Sequence, residues 1–179
     1  MNIIIRQEPP DDYAAILRLI YEAFLTLDFP GRRRTDEHYL IHLLRNCEYV
    51  VPELCYVAEV DGEIAGHILY TKSKVILSVL PKYHRQGIGR SLVEHSMNKA
   101  REMGFGAVLI TGVPAYYPKL GFDRGREYGV TLPDGSAGDE FMAYELNHGV
   151  LAGGGVLHFL AEAGFERAEN DDAGFAAFH

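Results

Sequence analysis

Long hydrophobic runs are missing from this sequence: no apolar stretch approaches the roughly 20 residues that span a bilayer, so no membrane helix is expected. Cysteine is scarce as well. Cys47 and Cys55 form no CxxC pair and have no histidine at finger spacing, which argues against structural zinc or a disulfide framework and for a reduced, cytoplasmic protein. Positive charge is also short. Seventeen Lys and Arg face 25 Asp and Glu, giving a net charge of −8 and a pI near 5.4, the wrong balance for neutralising a nucleic-acid backbone. The opening "MNIIIRQEPPDDY" has too short an apolar run for a signal-peptide core and turns acidic at once, so no export signal is read there.

What is present is a chain of 179 residues, 47% hydrophobic, long enough for one domain with a substantial core. Strand-forming "NIIIRQ" ends at Pro9-Pro10, and Asp11 or Asp12 can cap a helix with Tyr13, Ile16, Leu17, Ile20 and Phe24 on one face. Thr35 offers a cap for a second helix with Tyr39, His42 and Leu43 inward. From Cys55 to Thr71 the period becomes two, with Asp61-Gly62 as a hairpin turn. "VILSVL" is a further strand, which requires either a tight turn around Ser73 and Lys74 or a shortened strand. A helix follows from about Gly87 to Met103, with Ile88, Leu92, Ser96, Ala100 and Met103 on one stripe and Gly104 beyond its end. "AVLIT" and "FMAYEL" are strands, separated by a helical turn in "PAYYPKL" that Gly121 ends. In the tail, one short helix is expected near Val156 to Ala163, followed by a low-complexity end. The predicted order is β-α-α-β-β-β-α-β-α-β, an α+β fold.

The stretch "HRQGIGRSL" (84–92) raises the question of phosphate binding. No lysine follows Gly89, which removes the P-loop, and Leu92 stands where a dinucleotide fingerprint needs its third glycine. A strand, a basic turn and a helix start with small residues at Gly87 and Gly89 remain, an arrangement that offers free N–H groups to a pyrophosphate, with Arg85 and Arg90 as cationic partners. The plain alternative is a glycine turn with nothing bound.

With its surroundings, "SVLPKYHRQGIGRSL" resembles the coenzyme A pyrophosphate loop of the GNAT superfamily of N-acetyltransferases, Gln/Arg-x-x-Gly-x-Gly/Ala after a strand ending near Pro. Gly87 and Gly89 match the small positions, and His84 stands where Gln or Arg is usual. Downstream, "YYPKLGF" resembles the family's aromatic-Tyr-x-x-x-Gly-Phe segment and places Tyr117 at the position that often acts as general acid. The resemblance covers about residues 2 to 146 and implies a central twisted mixed sheet of six or seven strands flanked by about four helices. It makes 1–146 the acetyltransferase domain and 147–179 an extension that packs on or completes it.

The resemblance further implies acetyl-CoA as co-substrate, with no metal. His84, Arg85, Gln86, Gly87, Ile88, Gly89 and Arg90 would hold the pyrophosphate, while a splayed strand around Val79 would pair with the pantetheine arm. The reaction is acetyl transfer to a primary amine of a small molecule or protein. Tyr117, with a reference pKa of about 10 against roughly 8.5 for a thiol, stays protonated and can serve the departing thiolate. For the base, His67 on the third strand, Glu22 and Glu59 are candidates, and a packed histidine and solvated carboxylates are the bland alternatives. Glu22, Asp28, Asp36 and Glu37 suggest a cationic acceptor, whereas "GRRR" (31–34) suggests an anionic group on it. A non-catalytic acyl-CoA binding or regulatory module is the competing reading. Monomer and homodimer both stay open.

Overall fold

The computed structural model describes residues 1–25, 27, 34–158 and 162–178. In chain order the elements are β1 (Ile3–Gln7), α1 (Tyr13–Leu25), α2 (Glu37–Leu44), β2 (Tyr56–Val60), β3 (Glu63–Tyr70), β4 (Val75–Val79), α3 (Ile88–Glu102), β5 (Ala107–Thr111), β6 (Asp123–Arg124), β7 (Val130–Thr131), β8 (Phe141–Glu145), β9 (Gly155–Val156), α4 (Glu162–Asn170) and α5 (Asp172–Phe178). The chain has the predicted α+β architecture. Asp28 and 31–33 of the basic run lie outside the described residues, as do 159–161 of the expected tail helix.

The predicted single sheet is divided. Strands β1-β2-β3-β4 form one antiparallel sheet and β5-β8-β6 another, while β7 and β9 pair in parallel apart from both. Among the described residues no ladder joins β4 to β5, and the edge of β4 away from β3 has no strand partner. The β2–β3 hairpin turns on Asp61 and Gly62, both at positive φ (50° and 83°), the conformation a two-residue turn demands. The β3–β4 turn is tight: Thr71 N–H donates to the Lys74 carbonyl (2.8 Å), and the Thr71 hydroxyl accepts from Lys74 N–H (2.8 Å). That settles the choice between a tight turn and a cut strand in favour of the turn.

The core lies on both faces of the first sheet. One face holds Ala58, Ile68 and Tyr70 beneath α3, which contributes Leu92, and the other holds Val57, Leu69 and Ile76 beneath α1 and α2. The α3 stripe buries Ile88, Leu92, Ser96 and Ala100, but Met103 lies past the helix end and is 38% exposed. Gly66 on β3 is where α3 comes closest: a Cβ there would stand 2.8 Å from Ile88 and 2.9 Å from Leu92. The missing side chain sets the seat of the helix start.

Three local expectations need correction. The face of α1 buries Ile16, Leu19, Ile20 and Ala23, and the helix is led in by a 3-10 turn at Pro10–Asp12, with Asp12 engaged by Arg6 and no side-chain cap on that turn. Asp36, rather than Thr35, precedes α2, also without a side-chain cap. In the tail, Val156 is a strand residue and the two helices begin later. The Arg34 guanidinium donates to the Ala168 carbonyl (2.9 Å) and pairs with Asp172, and the Tyr39 hydroxyl donates to Asp171 (2.9 Å), so the tail is clipped to α2. No helix among the described residues is long and apolar enough to cross a membrane.

Candidate active site in the opening between the sheets

A cavity of about 790 Å³ occupies the opening beside β4, within the range of small-molecule sites. Its walls come from β4, the loop 83–90 at the start of α3, the end of β5 with Tyr116 and Tyr117, and the inner side of α1 and α2. The open edge of β4 presents backbone donors and acceptors to whatever fills the space, as any unpaired edge does.

The α3 start is built as the glycines suggest, each for its own reason. Gly87 takes φ 89° at the helix cap, a left-handed conformation, with open space where a side chain would go. At Gly89 the backbone is ordinary, but a Cβ would overlap the Tyr116 hydroxyl and touch Val79. Its bareness lets the aromatic approach the helix start. No side chain caps α3, so the N–H groups of its first turn and the positive end of its dipole face the cavity mouth.

The remaining loop residues divide by role. Ile88 is buried and anchors the turn in the core. Arg85 is exposed at φ 62°. Gln86 donates to the Lys82 carbonyl (2.9 Å). Arg90 reaches the Lys119 carbonyl (2.9 Å) and Glu94 (3.2 Å), tying the helix start to the tyrosine segment. His84 bonds through Nε2 to the Val79 carbonyl (3.0 Å), which requires the ring to donate. It fastens the loop to the strand end.

Tyr117 lies at the cavity wall but is only 8% exposed, its ring filling the space left by Gly112 and meeting Phe122 edge-on at 5.6 Å. Burial first, and then the neighbouring Tyr116 and Tyr70 hydroxyls, push its pKa well above the ordinary 10.0. The hydroxyl stays protonated throughout the neutral range.

The three base candidates are not brought together. Glu22 is exposed on α1, and Glu59 on β2 is taken by Arg6 at 3.1 Å; neither lines the cavity. His67 is fully buried, with Nε2 2.6 Å from Glu8, and is separated from the cavity by its cross-strand neighbour Ser78. Among the acidic residues suggested for the acceptor side, Glu37 lines the cavity, whereas Asp36 lies 3.9 Å from Arg34. Tyr116, Ser78 and Glu8 were not singled out from the sequence. Among the described residues no group of three or more His, Cys, Asp or Glu is placed to hold a metal.

Comparison with known proteins agrees with this geometry. The sequence model described as "Acetyltransferase (GNAT) family" matches residues 16–122. The chain is 30% identical over 102 residues to the uncharacterized N-acetyltransferase YjhQ of Escherichia coli K12, a match over 50% of this chain and 56% of that protein, so it spans little more than half of YjhQ's length. It is 27% identical to the uncharacterized N-acetyltransferase YhbS of the same strain, over 68% of this chain and 74% of the relative. The crystal structure of E. coli YhbS in complex with CoA superposes with a TM-score of 0.78 at 25% identity, covering 93% of both chains. A GNAT acetyltransferase from Brucella melitensis in complex with acetyl-CoA shares the fold, with a TM-score of 0.63 at 24% identity over 80% of this chain and 88% of that one. With the loop at Gly87 and Gly89, the split sheet and the family match across more than half its length, the chain belongs to the GNAT family of acetyltransferases.

Proposed function

We propose that the protein is an acetyl-CoA-dependent N-acetyltransferase that passes the acetyl group directly to a primary amine of a small molecule or protein. One observation carries the reading: the unpaired edge of β4, the uncapped start of α3 and the Tyr117 side chain all border one cavity. The first supplies a surface for the amides of a pantetheine arm and the second an anion site for its pyrophosphate. Loop residues 85–90 form that anion site, with His84 acting indirectly by holding the loop on Val79. Both free cysteines fit a reducing cytoplasm.

Tyr117 is the general acid. Because its pKa is raised, outright donation to a thiolate is uphill, so it acts by giving its proton as it receives the one leaving the adduct nitrogen. The acceptor end is walled by Phe24, Leu27, Leu40 and Ile76, with Glu37 its carboxylate among the described residues. We read this as a site for a cationic amine with an apolar body.

Thiol release from acetyl-CoA in the presence of primary amines tests the proposal. Turnover that falls about a hundredfold in Tyr117→Phe, with the KM for acetyl-CoA unchanged, is expected. Acetyl-CoA binding with no turnover of any amine would instead favour a regulatory module.

A further inference from the structure

His67 and Ser78 are cross-strand neighbours on β3 and β4, on the face covered by α1, and each keeps one buried polar atom without a partner: Nδ1 of His67 and Oγ of Ser78. Such orphans are rare in folded proteins and mark water or chemistry. Cross-strand side chains on one face stand within about 5.5 Å at Cβ, so a small movement or one bridging water would join the two groups. Ser78 borders the cavity; His67 lies behind it.

The other side of the imidazole is fixed. Nε2 meets Glu8, which also pairs with Arg45, and the Arg45 guanidinium lies 4.3 Å over the Tyr13 ring, whose hydroxyl bonds His42. Cys55, its thiol directed to the Val51 carbonyl at 3.4 Å, completes the titratable surroundings. Burial would raise the Glu8 carboxyl, but the His67 hydrogen bond and the His67 and Arg45 charges outweigh it and hold the group below its usual value. A carboxylate only accepts, so Nε2 carries a hydrogen, and whenever the ring holds a single proton Nδ1 is a lone pair.

We propose that Ser78, His67 and Glu8 form a proton-accepting relay for the acceptor amine, a deepening that rests on the N-acetyltransferase reading. The Ser78 hydroxyl accepts a proton from the ammonium while donating its own to Nδ1, and the imidazolium formed is held by Glu8. The neutral nitrogen then attacks the thioester carbonyl, the C–S bond breaks, and the second nitrogen proton goes through Tyr117 to the thiolate. His67 afterwards returns its proton to solvent along the same path. Glu8 is a positioning residue: it sets the tautomer and stabilises the imidazolium.

The experiment is the pH profile of thiol release from acetyl-CoA with a polyamine, an aralkylamine and a lysine-containing peptide, for the wild type and for Ser78→Ala, His67→Gln and Glu8→Gln. Ser78→Ala is expected to lower kcat at least tenfold, about the lower range of acid–base effects, with KM for acetyl-CoA unchanged. Glu8→Gln should shift the acidic limb to lower pH with a lower plateau, and His67→Gln should replace the limb by a rate that keeps climbing with the free-amine fraction. Variants that bind acetyl-CoA yet keep the wild-type limb overturn the relay alone. A wild type that turns over none of the amines overturns the parent reading and the relay with it. Should His67→Gln fail to fold, the near-isosteric Ser78→Ala decides.

Discussion

Gly87 and Gly89 sit two positions apart in one loop and are glycine for different causes, which gives substitutions at each a different consequence. At Gly87 an alanine would be strained by the backbone but would meet no neighbour. At Gly89 an alanine Cβ would displace the Tyr116 hydroxyl from the cavity wall. Gly89→Ala is therefore expected to weaken acetyl-CoA binding about tenfold, or roughly 1.4 kcal/mol, by calorimetry, with little loss in thermal stability. Glu8 gives a second prediction at this scale. Its pKa is held below the usual 4.5, so its contribution to stability is present above that value and is lost as pH falls through the lowered one. Urea unfolding of wild type and Glu8→Gln should differ at pH 7 and converge in acid; a gap that persists at pH 2 would contradict the assignment. The two glycines and Tyr117 could be read from the sequence because each sits in a local pattern. Glu8, Arg45, His67 and Ser78 could not be read as a group. They are joined only by the pairing of β1 through β4 and by the end of α2, and no local spacing announces it.

Between elements, the contact that positions the proposed anion site is the seating of α3 on β3 at Gly66. A methyl group there would press on Ile88 and Leu92, neither of which can turn aside within the core. Gly66→Ala should cost about 1–3 kcal/mol in urea unfolding, the usual range for overpacking, and should also loosen acetyl-CoA binding because Ile88 belongs to the loop. Stability lost without any effect on binding would show that the helix start is held independently of β3. The main elements were legible where period and turn chemistry agreed, as in the Asp61-Gly62 hairpin and the α3 stripe. The tail was not. Val156 joins a two-residue parallel pairing with β7, and α5 has Phe175 and Phe178 in an otherwise small-residue segment, a pattern made stable by docking on Tyr39 and Arg34 rather than by its own propensity.

For the whole molecule, the decisive feature is that seven of the nine strands among the described residues form two sheets instead of one. Hydrophobic pattern predicts each strand, but not which neighbours fail to pair, since β4 carries the same alternation whether its second edge meets a strand or a ligand. The family resemblance supplied the expectation of a splayed strand; the ladder that stops at β4 gives it a location. A ligand held there bridges both sheets and should stabilise the fold by mass action, about 2.7 kcal/mol at a hundredfold excess over Kd. The most direct measurement is a calorimetric titration of the wild-type protein with acetyl-CoA. One site per chain, with a matching rise in unfolding temperature, is the predicted result; the absence of heat and of any thermal shift at millimolar acetyl-CoA would contradict the account at its centre.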